Sequence, residues 1–179
     1  MDRRLVLAVV RTASALLVLL AIVVQISTLN GDGKFAPTGT GYYRDAFQPA
    51  ETATMSVDDH ERRMLEEVTV GIAGTGVRAG LIGELGTSGD AITPREERVL
   101  IAAGRVQRVT NVPVMVHTEG RRHVGLAAIR LLEANGANPA RIHICHVNGA
   151  SWWKDIVDTG ASIGHDCFGS TSRSTRRRR

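Results

Sequence analysis

Three residues with metal-ligating side chains stand at corresponding places in three successive apolar runs. Glu84 closes GLIGE, His117 closes VPVMVH and His146 nearly closes IHICHV, at intervals of 33 and 29 residues. A carboxylate and two imidazoles are ordinary oxygen and nitrogen ligands for zinc or a similar divalent ion. Taken singly, a histidine at a strand end is more often a hydrogen-bonded structural residue, and Glu84 could be a helix cap or a surface charge. The repetition, and an apolar strand that would bury Glu84 without a partner, set a shared metal site beside that structural reading. His60, His123 and His143 read as structural: His60 lies in a charged helix, His123 follows two arginines, and His143 is out of phase with His146. His165 and Asp166 are adjacent, so only one can face a pocket. Asp166 is the better candidate to orient a liganding histidine from behind, against the alternative of an ordinary strand-end turn residue.

The intervals of the trio match one strand plus one helix each. From Gly39 to Gly169 apolar β-branched runs alternate with helical patterns about every 30 residues, the signature of βαβ units and a parallel sheet. Helices are expected over 56–72, with Ser56 as N-cap and Asp58 and Asp59 in the first turn, and over 93–110, with Thr93 as cap, Pro94 first and Glu96 completing a capping box. Another is expected over 124–136, closed by Gly136, and a short one over 152–160. Strands are expected over 77–85, 112–117, 141–147 and 161–168. In a parallel α/β barrel the C-terminal strand ends face one pocket, so Glu84, His117 and His146 would converge.

The chain has 179 residues, enough for one ordinary domain, and only 4% are aromatic, which leaves Val, Ile, Leu and Ala to build the core. Cys145 and Cys167 make neither a disulfide scaffold nor a CxxC zinc site. The net charge of +4 resides at the ends, because residues 170–179 carry +5 and residues 38–169 sum to −3. An acidic body argues against a nucleic-acid-binding domain, and no nucleic-acid partner is expected. Residues 5–24, LVLAVVRTASALLVLLAIVV, are close to the length that spans a bilayer and follow Arg3 and Arg4; they read as an uncleaved membrane anchor or as a buried helix interrupted by Arg11. The last stretch, GSTSRSTRRRR, holds no apolar residue and is expected to be disordered, a solvated end rather than a binding element.

GTGYYRDAFQPAE, GIAGTGVRAGLIGELGTSGDAITPREERVLIAAGR, VPVMVHT, GLAAIRLLEANGANPARIHICHVNG and DTGASIGHDCFG resemble, in order, the phosphotriesterase-related proteins of the amidohydrolase superfamily. The resemblance implies an α/β fold, a (β/α)8 TIM barrel with two divalent metals, usually zinc, at its C-terminal mouth, hydrolysing a small-molecule phosphotriester, lactone or related ester. It implies that Glu84 bridges the metals, that His117 and His146 hold the second, and that Tyr43 is a pocket aromatic near the bridging hydroxide; no catalytic residue is assigned. The family's first-strand HxH pair has no counterpart here, and the chain ends before the eighth-strand aspartate. The expectation is therefore a partial barrel of about strands two to seven behind an N-terminal hydrophobic helix, with at most one well-formed zinc site and impaired hydrolysis. Three segments follow: 1–38 as helix and linker foreign to the family, 39–169 as partial barrel, 170–179 as tail. The alternative is a non-catalytic fragment from a truncated or chimeric reading frame, cytoplasmic, or membrane-anchored if residues 5–24 insert.

Overall fold

The computed structural model describes residues 38–119, 122–147 and 152–165. Five strands run in parallel in the order of the chain: β1 (Gly39–Thr40), β2 (Leu81–Gly86), β3 (Val114–His117), β4 (Ile142–Ile144) and β5 (Ser162–Ile163). Each return is a helix: α1 (Val57–Thr69), α2 (Pro94–Thr110), α3 (Arg122–Ala134) and α4 (Trp153–Val157). Parallel neighbours need such crossovers, because a tight turn can only reverse direction. Each of the four expected strands has a counterpart among the described residues, and the GT of GTGYY adds a two-residue strand before them. The candidate hydrophobic helix over 5–24, the C-terminal tail and Asp166 lie outside the described residues. Among the described residues no helix is long and apolar enough to cross a membrane.

The helix starts follow from local chemistry. The Ser56 side chain accepts from the Asp59 N–H, and the Asp59 carboxylate accepts from the Ser56 N–H, closing a capping box. The Ser56 side chain and backbone, then Arg62, hold the Asp59 carboxyl down at about 2. Thr93 and Glu96 build the same box at α2, with Pro94 in the first turn. That helix stops at Asn111, in the left-handed region at φ 57, whose N–H bonds the Gln107 carbonyl.

Strand side chains alternate, and so does their burial. Val114, Val116, Ile142 and Ile144 are buried and pack with Val99, Leu100, Val106, Ile129, Leu132 and Ile156 of the helical layer. Met115, His117 and His143 occupy the opposite phase and are only half-buried. The helices therefore cover one face of the sheet, and the chemistry-bearing phase lies on the other.

A buried histidine stands without a hydrogen-bond partner. His60 of α1, 1% exposed, meets the Tyr42 ring edge-on at 5.3 Å, and neither ring nitrogen has a hydrogen-bond partner. Burial, with Arg98, Arg63 and Arg95 nearby, pushes its pKa below the usual histidine value, and Asp59 opposes them. The unfolded chain takes up this proton first as pH falls, so stability is lost below about pH 6.5. Thermal melts from pH 7.5 to 5.5 are expected to show a falling Tm, and a smaller fall in His60→Leu. An equal fall in both proteins would exclude His60 as a source.

Candidate metal centre

The β2–β3 ladder sets the first ligand. Ile82 pairs with Val114, but the next partners are Leu85 with Val116, so β2 carries one extra residue. Such a bulge re-aims side chains, and Glu84 lies within it. Gly83, at φ 138, makes it possible, because any Cβ there would collide with the Met115 carbonyl.

After Leu85 the pairing continues with Gly86 opposite His117, the last residue of β3. Thr87 fixes the His117 carbonyl with both its N–H, at 3.2 Å, and its hydroxyl, at 2.8 Å. On the other side the Cys145 N–H bonds the Val116 carbonyl, and Thr118 Oγ1 donates to the Cys145 carbonyl at 2.9 Å. His146 follows β4 by two residues and sits in the left-handed region at φ 63, which costs backbone energy and turns its side chain out of the strand alternation.

These placements bring together the three residues singled out from the sequence. One ligand atom from each of Glu84, His117 and His146 lies within 4.8 Å of the others. Glu84 Oε1 is 3.6 Å from His117 Nδ1 and 3.5 Å from His146 Nε2, and the two rings meet edge-to-face at 4.5 Å. Ligands at tetrahedral corners about 2.0–2.2 Å from one ion stand roughly 3.3–3.6 Å apart, so both carboxylate–imidazole separations suit a shared divalent ion. The cluster is open on one side: the side chains of Glu84 and His146 are 31% and 32% exposed, against 12% for His117. The expectation of a buried Glu84 is corrected accordingly, since the uncovered face of the sheet leaves solvent access. Burial pushes the His117 pKa down, with His146 and Arg44 adding and Glu84 opposing. A neutral imidazole keeps the lone pair that coordination needs.

Tyr43 reaches the cluster from the loop after β1, its hydroxyl 3.2 Å from His117 Nδ1 and 3.1 Å from Nε2. Gly86 permits this approach, since a Cβ there would strike the backbone of Tyr43 and Arg44. His143 hydrogen-bonds Ser162 Oγ at 3.0 Å, and His123 the Asp90 carbonyl at 2.7 Å, in keeping with their structural reading. His60 is held by packing alone.

Glu96 has a role that its place in a capping box does not announce. Buried at 1% exposure, its carboxylate accepts from the Thr93 N–H at 2.9 Å, the Asp45 N–H at 3.0 Å and the Ser88 hydroxyl. One side chain thus ties the Tyr43 loop and the loop after β2 to the start of α2. Its helix position was legible, but partners 51 and 8 residues away were not. Truncation leaves three part-buried donors without this acceptor, where a fully buried one would cost about 1–3 kcal/mol. Glu96→Ala is therefore expected to lower the urea midpoint clearly, and an unchanged midpoint would show that water replaces the carboxylate.

A parallel α/β sheet with a carboxylate and two imidazoles gathered at its strand ends defines the class: an α/β protein with a candidate metal centre. The chain belongs to the phosphotriesterase family, whose model matches residues 32–179. It is 39% identical over 136 residues to the phosphotriesterase homology protein of Escherichia coli, covering 74% of this chain and 46% of that protein. It is 30% identical to the aryldialkylphosphatase of Saccharolobus solfataricus, covering 73% of this chain and 42% of that one. The crystal structure of the E. coli protein, complexed with phosphate in its active site, superposes with a TM-score of 0.68 at 38% identity, over 75% of this chain and 47% of that chain. An organophosphorus hydrolase from Deinococcus radiodurans gives 0.64 at 40% identity, over 70% and 40%. The chain spans about half the length of the curated relatives it matches.

Proposed function

We propose that this chain carries part of a (β/α)8 barrel and the zinc-binding half-site of a metal-dependent hydrolase acting on phosphotriesters, lactones or related esters. The observation that carries the reading is the convergence of Glu84, His117 and His146 in a phosphotriesterase-family chain. The names of its relatives, which include an aryldialkylphosphatase and a phosphotriesterase homology protein, support the ester class.

When bound, a divalent ion supplies a Lewis acid and acidifies water for attack on a carbonyl or phosphoryl centre. Glu84 would contribute a carboxylate, and His117 and His146 ring nitrogens, to hold such an ion. Thr87 keeps the His117 backbone from turning, and Tyr43 places a hydroxyl beside the His117 ring where it can orient a bound ester. The half-exposed side of the cluster gives a small molecule access. The ligands among the described residues suffice for one ion, so turnover by this chain is expected to be weak.

Zinc added to the metal-free chain is expected to bind one per chain and to raise the Tm, with both effects lost in His117→Ala and His146→Ala. Cleavage of an aryl phosphotriester or a lactone should follow the same loss. A chain that takes up no zinc would sink the reading. Robust turnover surviving His117→Ala would move the chemistry elsewhere.

Membrane association through residues 5–24 belongs to the same proposal as an independent element. Fractionation of the chain with and without residues 1–30 is expected to shift it from the membrane pellet to the supernatant. Recovery of the intact chain in the supernatant would remove the anchor.

A further inference from the structure

The Tyr43 hydroxyl stands beside His117, yet nothing in the regular fold holds it there. Residues 42–44 lie between β1 and a 3-10 turn, Asp45–Phe47, and belong to neither. The Gln48 side chain donates to the Tyr43 carbonyl at 3.0 Å, which fixes the backbone but leaves the ring free to rotate. Phe47 tilts against the Tyr43 ring at 5.8 Å but is itself 64% exposed, so burial does not pin the pair.

Arg44 supplies what is missing. Its guanidinium stands over the Tyr43 ring at 5.4 Å and over the Phe47 ring at 5.1 Å, within range for a cation–π contact with both. It also pairs with Glu119, two residues beyond His117. One planar cation therefore links the loop that carries Tyr43 to the loop that continues from His117. A half-exposed ion pair adds little to stability, because ordering two long side chains offsets most of its attraction. Its consequence here is geometric.

We propose that Arg44 is a positioning residue: anchored by Glu119 and stacked on Tyr43 and Phe47, it holds the Tyr43 hydroxyl against the His117 imidazole. The inference deepens the proposed hydrolytic site, yet it concerns a contact that can be read without turnover. Lysine cannot replace Arg44 fully, since a point ammonium lacks the flat face that stacks and the fork that grips a carboxylate.

The test uses the full chain labelled with 15N-histidine, following the His117 side-chain nitrogens by long-range 1H–15N NMR. Tyr43→Phe removes the hydroxyl and moves the His117 resonances. Arg44→Met, which keeps bulk but loses charge and plane, is expected to reproduce most of that movement, leaving His143 and the backbone spectrum in place. The Tyr43→Phe/Arg44→Met double variant should coincide with Tyr43→Phe alone, and Arg44→Lys should fall between wild type and Arg44→Met. Should Arg44→Met fail to fold, Glu119→Gln is expected to move His117 in the same direction. His117 resonances at their wild-type positions in a folded Arg44→Met or Glu119→Gln chain would overturn the proposal. So would movements that simply add in the double variant. A separate zinc titration keeps the two ideas apart, because a chain that binds no zinc defeats the hydrolase reading while leaving the His117 comparison intact.

Discussion

Parallel pairing in chain order is the constraint on which the candidate site depends. Every strand leaves the sheet at the same edge, and every crossover brings the next strand in beside the last. The ends of β2, β3 and β4 therefore meet, although their residues are separated by whole helices. The register does the fine placement: Gly86 stands opposite His117, Val116 opposite Ile144, and the extra residue in β2 offsets Glu84 from the regular alternation. A one-residue slip would turn His117 into the helical layer and Val116 out of it.

The same sheet divides its two faces between stability and chemistry. Aliphatic side chains in one phase bury themselves against α1–α4, and polar groups in the other stay within reach of solvent. This division lets a carboxylate and two imidazoles sit close together without the full desolvation cost that a closed core would impose. The loops that complete the site are held by groups satisfied across elements, above all the Glu96 carboxylate, which gathers donors from two loops and a helix start.

Relatives in the phosphotriesterase family are about twice the length of the matched region, and this chain corresponds to a little under half of the E. coli protein. The described strands nevertheless keep a continuous aliphatic layer beneath the cluster, running from Ile82 to Ile156. The trio thus rests on packed structure. Its supports are local to three neighbouring strands and the loop after β1, which explains how the geometry arises within this five-stranded sheet.

Much of this was readable in the amino-acid sequence, because the signals are short-range. Ser56 and Thr93 announce their helices through side chain to backbone bonds three residues away, and the β-branched runs announce strands by their own packing preference. The period of about one βα unit even placed Glu84, His117 and His146 on a common edge, and the family motifs pointed to Tyr43. Strand ends were less legible: the expected strand over 77–85 begins only at Leu81 and runs on to Gly86, because its ends are set by pairing with β1 and β3. The bulge at Gly83, the left-handed turn at His146, and the reach of Arg44 and Glu96 across loops had no local signature. They arise only when distant backbones meet, where a collision with Met115 demands glycine and a buried carboxylate must find donors. Residue types and their period determined which groups could ligate a metal, and the tertiary structure alone decided how closely they approach, because ångström distances depend on register and packing that no neighbouring residue encodes.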